Sequence, residues 1–187
     1  MIKNFTCEGF RNISCSNLKF NRINILIGPN NAGKSNFIRA LSFAANMVSL
    51  SRTEPTGFLS ELKRNGWNSA MNRRGNRSDF HFKWDLDLNK KDLLCYRLHV
   101  NVGKKREDNY IIEESLDNAR PRSGAPRPYN FFKCHALQPG LGEFSTAGTR
   151  GVSNTRLRAD VDRQESVLLQ MDQLFFENKE MFSSTFV

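Results

Sequence analysis

The chain has 187 residues, of which 39% are hydrophobic and 25% are charged, a composition typical of one soluble globular domain or one large lobe. No apolar run approaches the ~18 residues that a membrane-spanning helix needs, and the N-terminus lacks a signal-peptide pattern, so we expect a cytoplasmic protein without a membrane partner. The net charge of +9 makes nucleic acid a candidate partner.

The N-terminal part of the chain predicts a strand–loop–helix unit. Residues 2–10 and 18–27 have the apolar character of strands, and the second ends in the aliphatic run Ile23–Ile27, which is typical of a buried strand. From Asn36 to Val48 the apolar residues recur at helical spacing and cover most of the circumference. We therefore expect a largely buried helix there.

The middle of the chain predicts an antiparallel β-meander. Residues 51–78 have no clear period and are interpreted as a short helix at about 57–64 followed by a basic loop. Apolar and polar residues then alternate from Phe80 to Leu88 and from Leu94 to Val102, and a third strand-like run covers 110–116. The short connections between these runs favour neighbouring antiparallel strands.

The composition changes at Asn118. From 118 to 158 there are seven Arg or Lys residues, one acidic residue, four Pro and five Gly, which is typical of loops, and one strand is expected at 129–137. Residues 161–181 return to helical spacing. These changes divide the chain into a strand–loop–helix unit (1–50), a basic loop region (51–79), the meander (80–117), a basic Pro- and Gly-rich segment with one strand (118–160) and a final helical segment (161–187).

The sharpest motif runs from Gly28 to Ser35 and matches G-x-x-x-x-G-K-S. Such a loop presents backbone N–H groups to phosphate, and the helix that follows points its positive N-terminus at the same place. Gly28 is expected to allow the sharp exit from the strand, and Gly33 the close approach of backbone to phosphate. Lys34 should reach the β- and γ-phosphates, and the Ser35 hydroxyl should coordinate magnesium. The motif predicts that ATP with Mg²⁺ binds at Gly28, Pro29, Asn30, Asn31, Ala32, Gly33, Lys34 and Ser35.

A second motif suggests a different nucleotide. Residues 89–92 spell N-K-x-D, which reads guanine in GTPases. They lie between two alternating strands, where Asn and Asp are ordinary turn residues, whereas a GTPase would place the motif after a buried apolar strand. A GTPase-like or kinase-like protein is therefore the less favoured alternative, and a preference for GTP over ATP would support it.

The phrase Gly9-Phe10-Arg11 precedes the P-loop, and Asn36 follows Ser35 directly. In these features the segment 1–45 resembles the amino-terminal lobe of ABC-type ATPases of the RecF, SMC and OLD (overcoming-lysogenization-defect) kind. The resemblance implies an α/β fold of the P-loop NTPase class, an ABC-ATPase head lobe with an antiparallel β-meander packed on the P-loop core. It adds Asn36 to the nucleotide site, and Arg11 as a residue that contacts phosphate or braces the loop. The alternative for Arg11 is a surface arginine on a strand turn.

The resemblance also implies a strand that ends in a glutamine contacting magnesium and the attacking water. Gln138 is the candidate, which would make Gln138 and Ser35 metal ligands and Gln138 and Lys34 catalytic residues. The alternative interpretation of 138–140 is a plain turn. The stretch 162–170 is similar to the helix that follows in OLD-like members.

Hydrolysis in this group needs a Walker B strand, an apolar run that ends in Asp-Glu, together with an L-S-G-G signature. Neither motif follows the P-loop in this sequence. The expected explanation is that the chain is a first lobe, whose second lobe lies elsewhere on the same protein, lies on a partner chain or has been lost. ATPase activity, from ATP and water to ADP and phosphate, is expected only after that completion. Two complete heads would sandwich ATP, so a homodimer is also expected.

Two functions remain. The favoured one is the ATP-binding lobe of a DNA-associated ATPase in repair, chromosome maintenance or antiviral (phage) defence, with basic segments near 63–77 and 118–158 lining a DNA surface. The alternative is that the basic residues of those segments form a solvated loop surface that binds no DNA. The second function is a non-hydrolysing module in which ATP binding sets assembly with an effector or nuclease.

Overall fold

A computed structural model describes residues 1–48, 57–66, 78–87, 93–118, 129–134, 140–145 and 156–170. The described residues form one β-sheet with helices packed against it, and a helical turn begins at Val167. The elements follow in the order β1 (Ile2–Phe10), β2 (Ile13–Lys19), α1 (Lys34–Val48), α2 (Phe58–Arg64), β3 (Asp79–Asp87), β4 (Leu93–Asn101), β5 (Tyr110–Asn118), β6 (Tyr129–Cys134), β7 (Leu141–Ser145) and β8 (Arg156–Asp160).

The sheet has eight strands in the order β2-β1-β3-β4-β5-β6-β7-β8, and every neighbouring pair is antiparallel. The predicted meander is confirmed: β3 and β4 pair without interruption from Asp79↔Asn101 to Asp87↔Leu93. The meander continues through β7 and β8, two short strands in the basic segment that the sequence did not indicate. The β1–β2 hairpin closes the opposite end by pairing β1 with β3.

Two predicted elements have different bounds in the structure. The second strand was expected at 18–27, but β2 covers Ile13–Lys19 and the aliphatic run 23–27 lies in no strand. The helical segment was expected from 161, but residues 161–166 form a turn and the helix begins at Val167. The Ser166 hydroxyl accepts a hydrogen bond from the Leu168 N–H (3.2 Å), which is the N-cap interaction that starts a helix.

The core lies between one face of the sheet and α1. Alternation along β3 directs Phe80, Phe82 and Trp84 to the same side. There Phe80 and Phe82 contact Phe10 from β1 and Phe43 from α1. Ring centroids of Phe82 lie 5.2 Å from Phe10 and 5.3 Å from Phe43, within the range of favourable aromatic pairs. Each such buried ring stabilises the fold by about 1.5–3 kcal/mol. This aromatic layer fixes α1 on the sheet.

Polar contacts position α1 further. The Trp84 indole N–H donates to the Leu41 carbonyl (3.2 Å), which ties the middle of α1 to β3. Near its end, Asn46 donates from Nδ2 to Glu61 Oε1 on α2 (3.3 Å). Glu61 is buried, and burial raises the pKa of its carboxyl. The helix that carries the P-loop lysine is therefore fixed both to the sheet and to α2.

The expectation that α1 is largely buried is only half right. Ala40, Phe43 and Met47 form the buried stripe against the sheet, but Ile38 is 54% exposed. The apolar residues of α1 cover more of its circumference than the described part of the chain can cover, because the sheet and α2 meet only one side of it.

A buried carboxylate holds the middle of the sheet to the turn before residue 167. Glu114 on β5 is fully buried and accepts hydrogen bonds from the Tyr96 hydroxyl (2.8 Å), the Ser166 hydroxyl (2.7 Å) and the Val167 N–H (2.8 Å). Burial raises the pKa of Glu114, and the three donors oppose that shift. These contacts attach the end of the described chain to the middle of the sheet.

Candidate functional site: the P-loop and its surroundings

The loop from Gly28 to Ser35 turns the chain sharply into α1. Asn31 and Gly33 have positive φ angles, 66° and 97°, and the Ala32 N–H donates to the Pro29 carbonyl (3.3 Å). The Phe37 N–H then donates to the Gly33 carbonyl (2.8 Å), which is the first hydrogen bond of the helix. Gly28, expected to supply the sharp turn, is not in the left-handed region, so the left-handed conformation rests on Asn31 and Gly33.

The loop encloses a pocket of about 480 Å³ at the N-terminus of α1. Ordinary ligand pockets have volumes of about 300–1,000 Å³. The first turn of α1 contains no acidic residue, so the positive end of a 15-residue helix faces the pocket without a competing carboxylate. The pocket is lined by Asn30, Asn31, Gly33, Lys34, Ser35 and Asn36. Amide, hydroxyl and ammonium groups of this kind fit phosphate oxygens and a magnesium ion held between phosphate and Ser35.

Lys34 lies across the loop. Its Nζ donates to the carbonyls of Gly28 and Pro29, each at 2.6 Å. An ammonium group has three donors, so two hold the side chain against the loop and one remains for an incoming oxygen. These contacts hold the ammonium group at the pocket. Ligand binding therefore costs less side-chain conformational entropy than it would with a freely rotating lysine.

Arg11 lies behind the loop, in the turn between β1 and β2. Its guanidinium donates from Nη2 to the Asn65 carbonyl (2.8 Å) and, over a longer distance of 3.4 Å, from Nη1 to Asn36 Oδ1. Arg11 does not line the P-loop pocket. Burial lowers the pKa of Arg11, and the neighbouring Arg39 lowers it further. Both roles expected for Arg11, contact with phosphate and bracing of the loop, stay predictions.

Two sequence-based expectations concern residues that the structure does not describe. Gln138, the candidate for magnesium and water, lies in the gap 135–139, and the N-K-x-D residues lie in the gap 88–92. The strands on either side of the second gap pair as a hairpin, which is the context that argued against a GTPase. Among the described residues, no cluster of three or more His, Cys, Asp or Glu could hold a metal ion.

The segment before the P-loop is apolar and exposed. Ile23, Ile25 and Ile27 are 78%, 77% and 91% exposed. Ile23 and Ile25 line a groove of about 400 Å³ whose walls include Phe37 and Ile38 of α1. No described strand pairs with this run. The expectation of a buried strand is therefore wrong for the described residues, because burial needs a neighbouring strand on this side of α1.

Comparison with family models agrees with this site. Residues 23–74 match the family model described as "AAA domain, putative AbiEii toxin, Type IV TA system". The match supports an ATPase-type domain of the AAA, P-loop kind. It covers the exposed aliphatic run, the P-loop, α1 and α2, which together are about a quarter of the chain. Proteins matching this kind of domain generally use ATP and Mg²⁺, in keeping with an ATP-binding, ATPase-like function.

Searches of curated proteins and of solved structures found no match. Within the residues that the structure describes, no helix has both the length and the apolar character needed to cross a membrane.

Proposed function

We propose that this chain is the ATP-binding lobe of a RecF/SMC/OLD-like ATPase that acts on or near DNA and dimerises when nucleotide binds. The observation that carries the proposal is the P-loop pocket, where the Lys34 ammonium and the N-terminus of α1 converge on space of the right size for phosphates. Both groups are positive and both are held in place before any ligand arrives. Such preorganised donors are what a phosphate-binding site requires.

Within this proposal, each pocket residue has a chemical role. The backbone N–H groups of the loop and of the first turn of α1 bind the phosphate oxygens. The third donor of the Lys34 ammonium, which the Gly28 and Pro29 carbonyls leave free, binds the outer phosphates through a charge-assisted hydrogen bond. Ser35, which borders the pocket, supplies a hydroxyl oxygen to Mg²⁺. Asn36 borders the pocket one residue further along the helix.

The exposed aliphatic run supports a second lobe. Ile23 and Ile25 line one apolar groove with Ile38 of α1, and the exposed Ile27 follows them directly before Gly28. Exposed apolar surface of this kind marks an interaction site. We propose that a second lobe, from the same protein or a partner chain, covers this surface and completes the ATPase.

Charge supports the DNA part of the proposal, although the charges are unevenly placed. In the 118–158 segment, Lys133 pairs with Glu113 (3.9 Å) and Arg158 with Glu143 (3.0 Å), so these cations are locally balanced. A set of exposed cations on β2, on α1 and between these elements differs, since its members make no ion pair with any described residue. That set is Lys19, Arg22 and Arg39. We propose that DNA phosphates contact these three residues.

The alternative function is a module that binds ATP without hydrolysing it and assembles with an effector or nuclease. The chemistry of the pocket residues supports binding without hydrolysis, because amide, hydroxyl and ammonium groups bind phosphate but do not accept a proton from an attacking water. Equilibrium binding of ATP with no release of phosphate, in the presence of the partner, would support this function over the first.

Titration of the chain with Mg-ATP tests nucleotide binding. We expect heat or fluorescence changes that saturate with the wild type and disappear with Lys34→Ala. Lys19→Ala is the matched control, because it removes an exposed lysine outside the pocket. Competition with GTP separates the classes: a preference for GTP would overturn the assignment to ATP. Equal binding by Lys34→Ala and wild type would overturn the site.

Two further measurements test dimerisation and DNA. Light scattering coupled to gel filtration should show a shift toward twice the monomer mass with Mg-ATP, and not with Lys34→Ala. Fluorescence anisotropy with labelled duplex DNA should show binding that weakens steeply with salt, since every phosphate that a lysine or arginine neutralises steepens the salt dependence. Absence of binding at about 50 mM salt would exclude the DNA surface.

A further inference from the structure

The back of the P-loop rests on the turn between β1 and β2. Arg11 in this turn has a positive φ of 52°, and the residue that follows it, Asn12, reaches toward the loop. The preceding Gly9 has a φ of 80°, and a side chain on it would meet the Asp79 carbonyl at 2.5 Å. Gly9 therefore lets β1 approach β3 closely, and the turn is held at a defined place on the sheet.

Asn12 contacts the P-loop at its most constrained residue. A Cβ atom on Gly33 would lie 2.8 Å from Asn12 Nδ2, closer than packing allows, and 3.1 Å from Asn12 Oδ1, a tight contact. The amide of Asn12 thus occupies the space that a side chain at Gly33 would need. Gly33 is glycine for two independent reasons, its left-handed φ and this close contact.

Asn12 also makes a hydrogen bond to the helix that the loop begins. Asn36 Nδ2 donates to Asn12 Oδ1 at 2.8 Å, and Asn36 borders the nucleotide pocket. The same Asn36 side chain accepts the longer hydrogen bond from Arg11 Nη1. One side chain in the β1–β2 turn therefore contacts the loop at Gly33 and α1 at Asn36, on either side of Lys34.

The contact network continues to α2. Arg11 donates to the Asn65 carbonyl, and Asn65 Nδ2 donates to Glu61 Oε1 (2.9 Å), a buried carboxylate that also accepts from Asn46 near the end of α1. The turn is thereby anchored on the side away from the pocket. Because the turn cannot move freely, its contact with Gly33 and Asn36 sets the position of the loop.

We infer that Asn12 is a positioning residue for nucleotide binding, which holds the P-loop amides and the first turn of α1 in their phosphate-binding arrangement. The inference rests on the proposed function, since it concerns the same pocket. Asn12 lies against Gly33 but does not line the pocket. It acts through Gly33 and Asn36.

Nucleotide affinity in a double-mutant cycle tests this role. Asn12→Ala and Asn36→Ala should each weaken Mg-ATP binding by about 3- to 10-fold, the effect of one neutral hydrogen bond and its positioning. The double variant should bind little more weakly than the more affected single variant, because both substitutions remove the same hydrogen bond. Ser14→Ala, an exposed polar residue two positions further along the chain, should bind as the wild type does. Full additivity, or wild-type affinity of Asn12→Ala, would overturn the inference.

Hydrogen exchange of the ligand-free protein gives a readout that does not depend on nucleotide. Exchange of the amides at 30–36 should accelerate by about 3- to 10-fold in Asn12→Ala, while the amides of β3 and β4 keep their wild-type rates. Asn12→Asp keeps the oxygen that accepts from Asn36 and should restore slow exchange. Loss of ATP binding in Lys34→Ala with unchanged exchange in Asn12→Ala would retain the proposed function and reject the positioning role. Accelerated exchange in Asn12→Ala, together with a wild-type protein that binds no Mg-ATP, would retain the role of Asn12 in holding the loop and reject the proposed function.

Discussion

The motif requires glycine at both 28 and 33, but the structure indicates that only Gly33 needs the conformation and space of glycine. Replacing each by alanine in turn should show this difference. Gly33 has a φ of 97°, and an added Cβ would lie 2.8 Å from Asn12 Nδ2 and 3.2 Å from the Ile13 Cδ1 atom. At Gly28 the φ is not left-handed, and an added Cβ would meet only the Ala32 Cβ at 3.4 Å, an ordinary contact. The two substitutions change one methyl group each, which makes Gly28→Ala a matched control.

The expected cost at Gly33 has two parts. A left-handed conformation costs an alanine about 1–2 kcal/mol more than a glycine. Asn12 must also move away, which gives up its hydrogen bond from Asn36, worth about 0.5–1.5 kcal/mol. Gly33→Ala should therefore lower the free energy of unfolding by about 1.5–3.5 kcal/mol, whereas Gly28→Ala should change it by less than about 0.5 kcal/mol.

Urea denaturation followed by Mg-ATP titration measures both consequences. Gly33→Ala should shift the unfolding midpoint downward with an unchanged slope, and the folded variant should bind nucleotide at least about tenfold more weakly because the loop amides are displaced. Gly28→Ala should keep the wild-type midpoint. Equal midpoints for Gly33→Ala and wild type, or a larger destabilisation at Gly28 than at Gly33, would refute the assignment of the left-handed turn and of the Asn12 contact.

Three other results are expected. Glu114→Ala leaves three buried donors without their acceptor and should destabilise the fold by about 3–5 kcal/mol in urea denaturation. Because burial raises the pKa of Glu114 above its ordinary value of 4.5, the protonated form favours folding: that stability is full below pH 4.5 and is lost as the pH rises through the folded pKa. Thermal melts between about pH 4 and 8 should show this slope, and Glu114→Gln should flatten it; an unchanged slope would assign it to Glu61, whose pKa burial also raises. Finally, Ile25→Ser with Ile27→Ser should leave the melting temperature of the isolated chain within about 2 °C, since both side chains are exposed, yet abolish association with a second lobe in pull-down experiments.

The sequence predicted the strands that obey a local rule. In β3, Phe80 and Phe82 alternate with His81 and Lys83, and side chains on a strand point alternately to opposite faces whatever the rest of the chain does. The same rule applies to β4, and the short connection between them implied the antiparallel pairing that the structure has. Periodicity was sufficient there because it depends only on neighbouring residues.

The sequence could not predict what depends on distant partners. The run 23–27 has the composition of a buried strand, but its burial requires a strand beside it, and no described segment supplies one. The short strands β7 and β8 contain Gly142 and basic residues that disfavour strands locally, and they form because each pairs with a neighbour, as in the Glu143–Arg158 contact. The helix expected at 161 begins late because Ser166 caps it.

The residues of the candidate site also include some that local spacing predicted and one that depends on a distant partner. Lys34 and Ser35 were found from motif spacing, because a loop that binds phosphate needs those residue types in that order. Asn12 was missed, since one asparagine after a turn carries no distinctive pattern and its partner Asn36 is 24 residues away. Only the hydrogen bond between Asn12 and Asn36 indicates the role of Asn12, and that contact is known only once the fold places the β1–β2 turn beside the P-loop.

The hydrogen bond from Trp84 to the Leu41 carbonyl makes Trp84 an intrinsic fluorescence probe of the position of α1. The indole is buried on β3 and bonded to the same helix whose first residue is Lys34, so its emission depends on where that helix lies. The chain has one other tryptophan, Trp67, which a Trp67→Phe substitution would remove from the spectrum. Nucleotide titration of that variant would then show, without an added label, whether phosphate binding at one end of α1 shifts the helix as a rigid body.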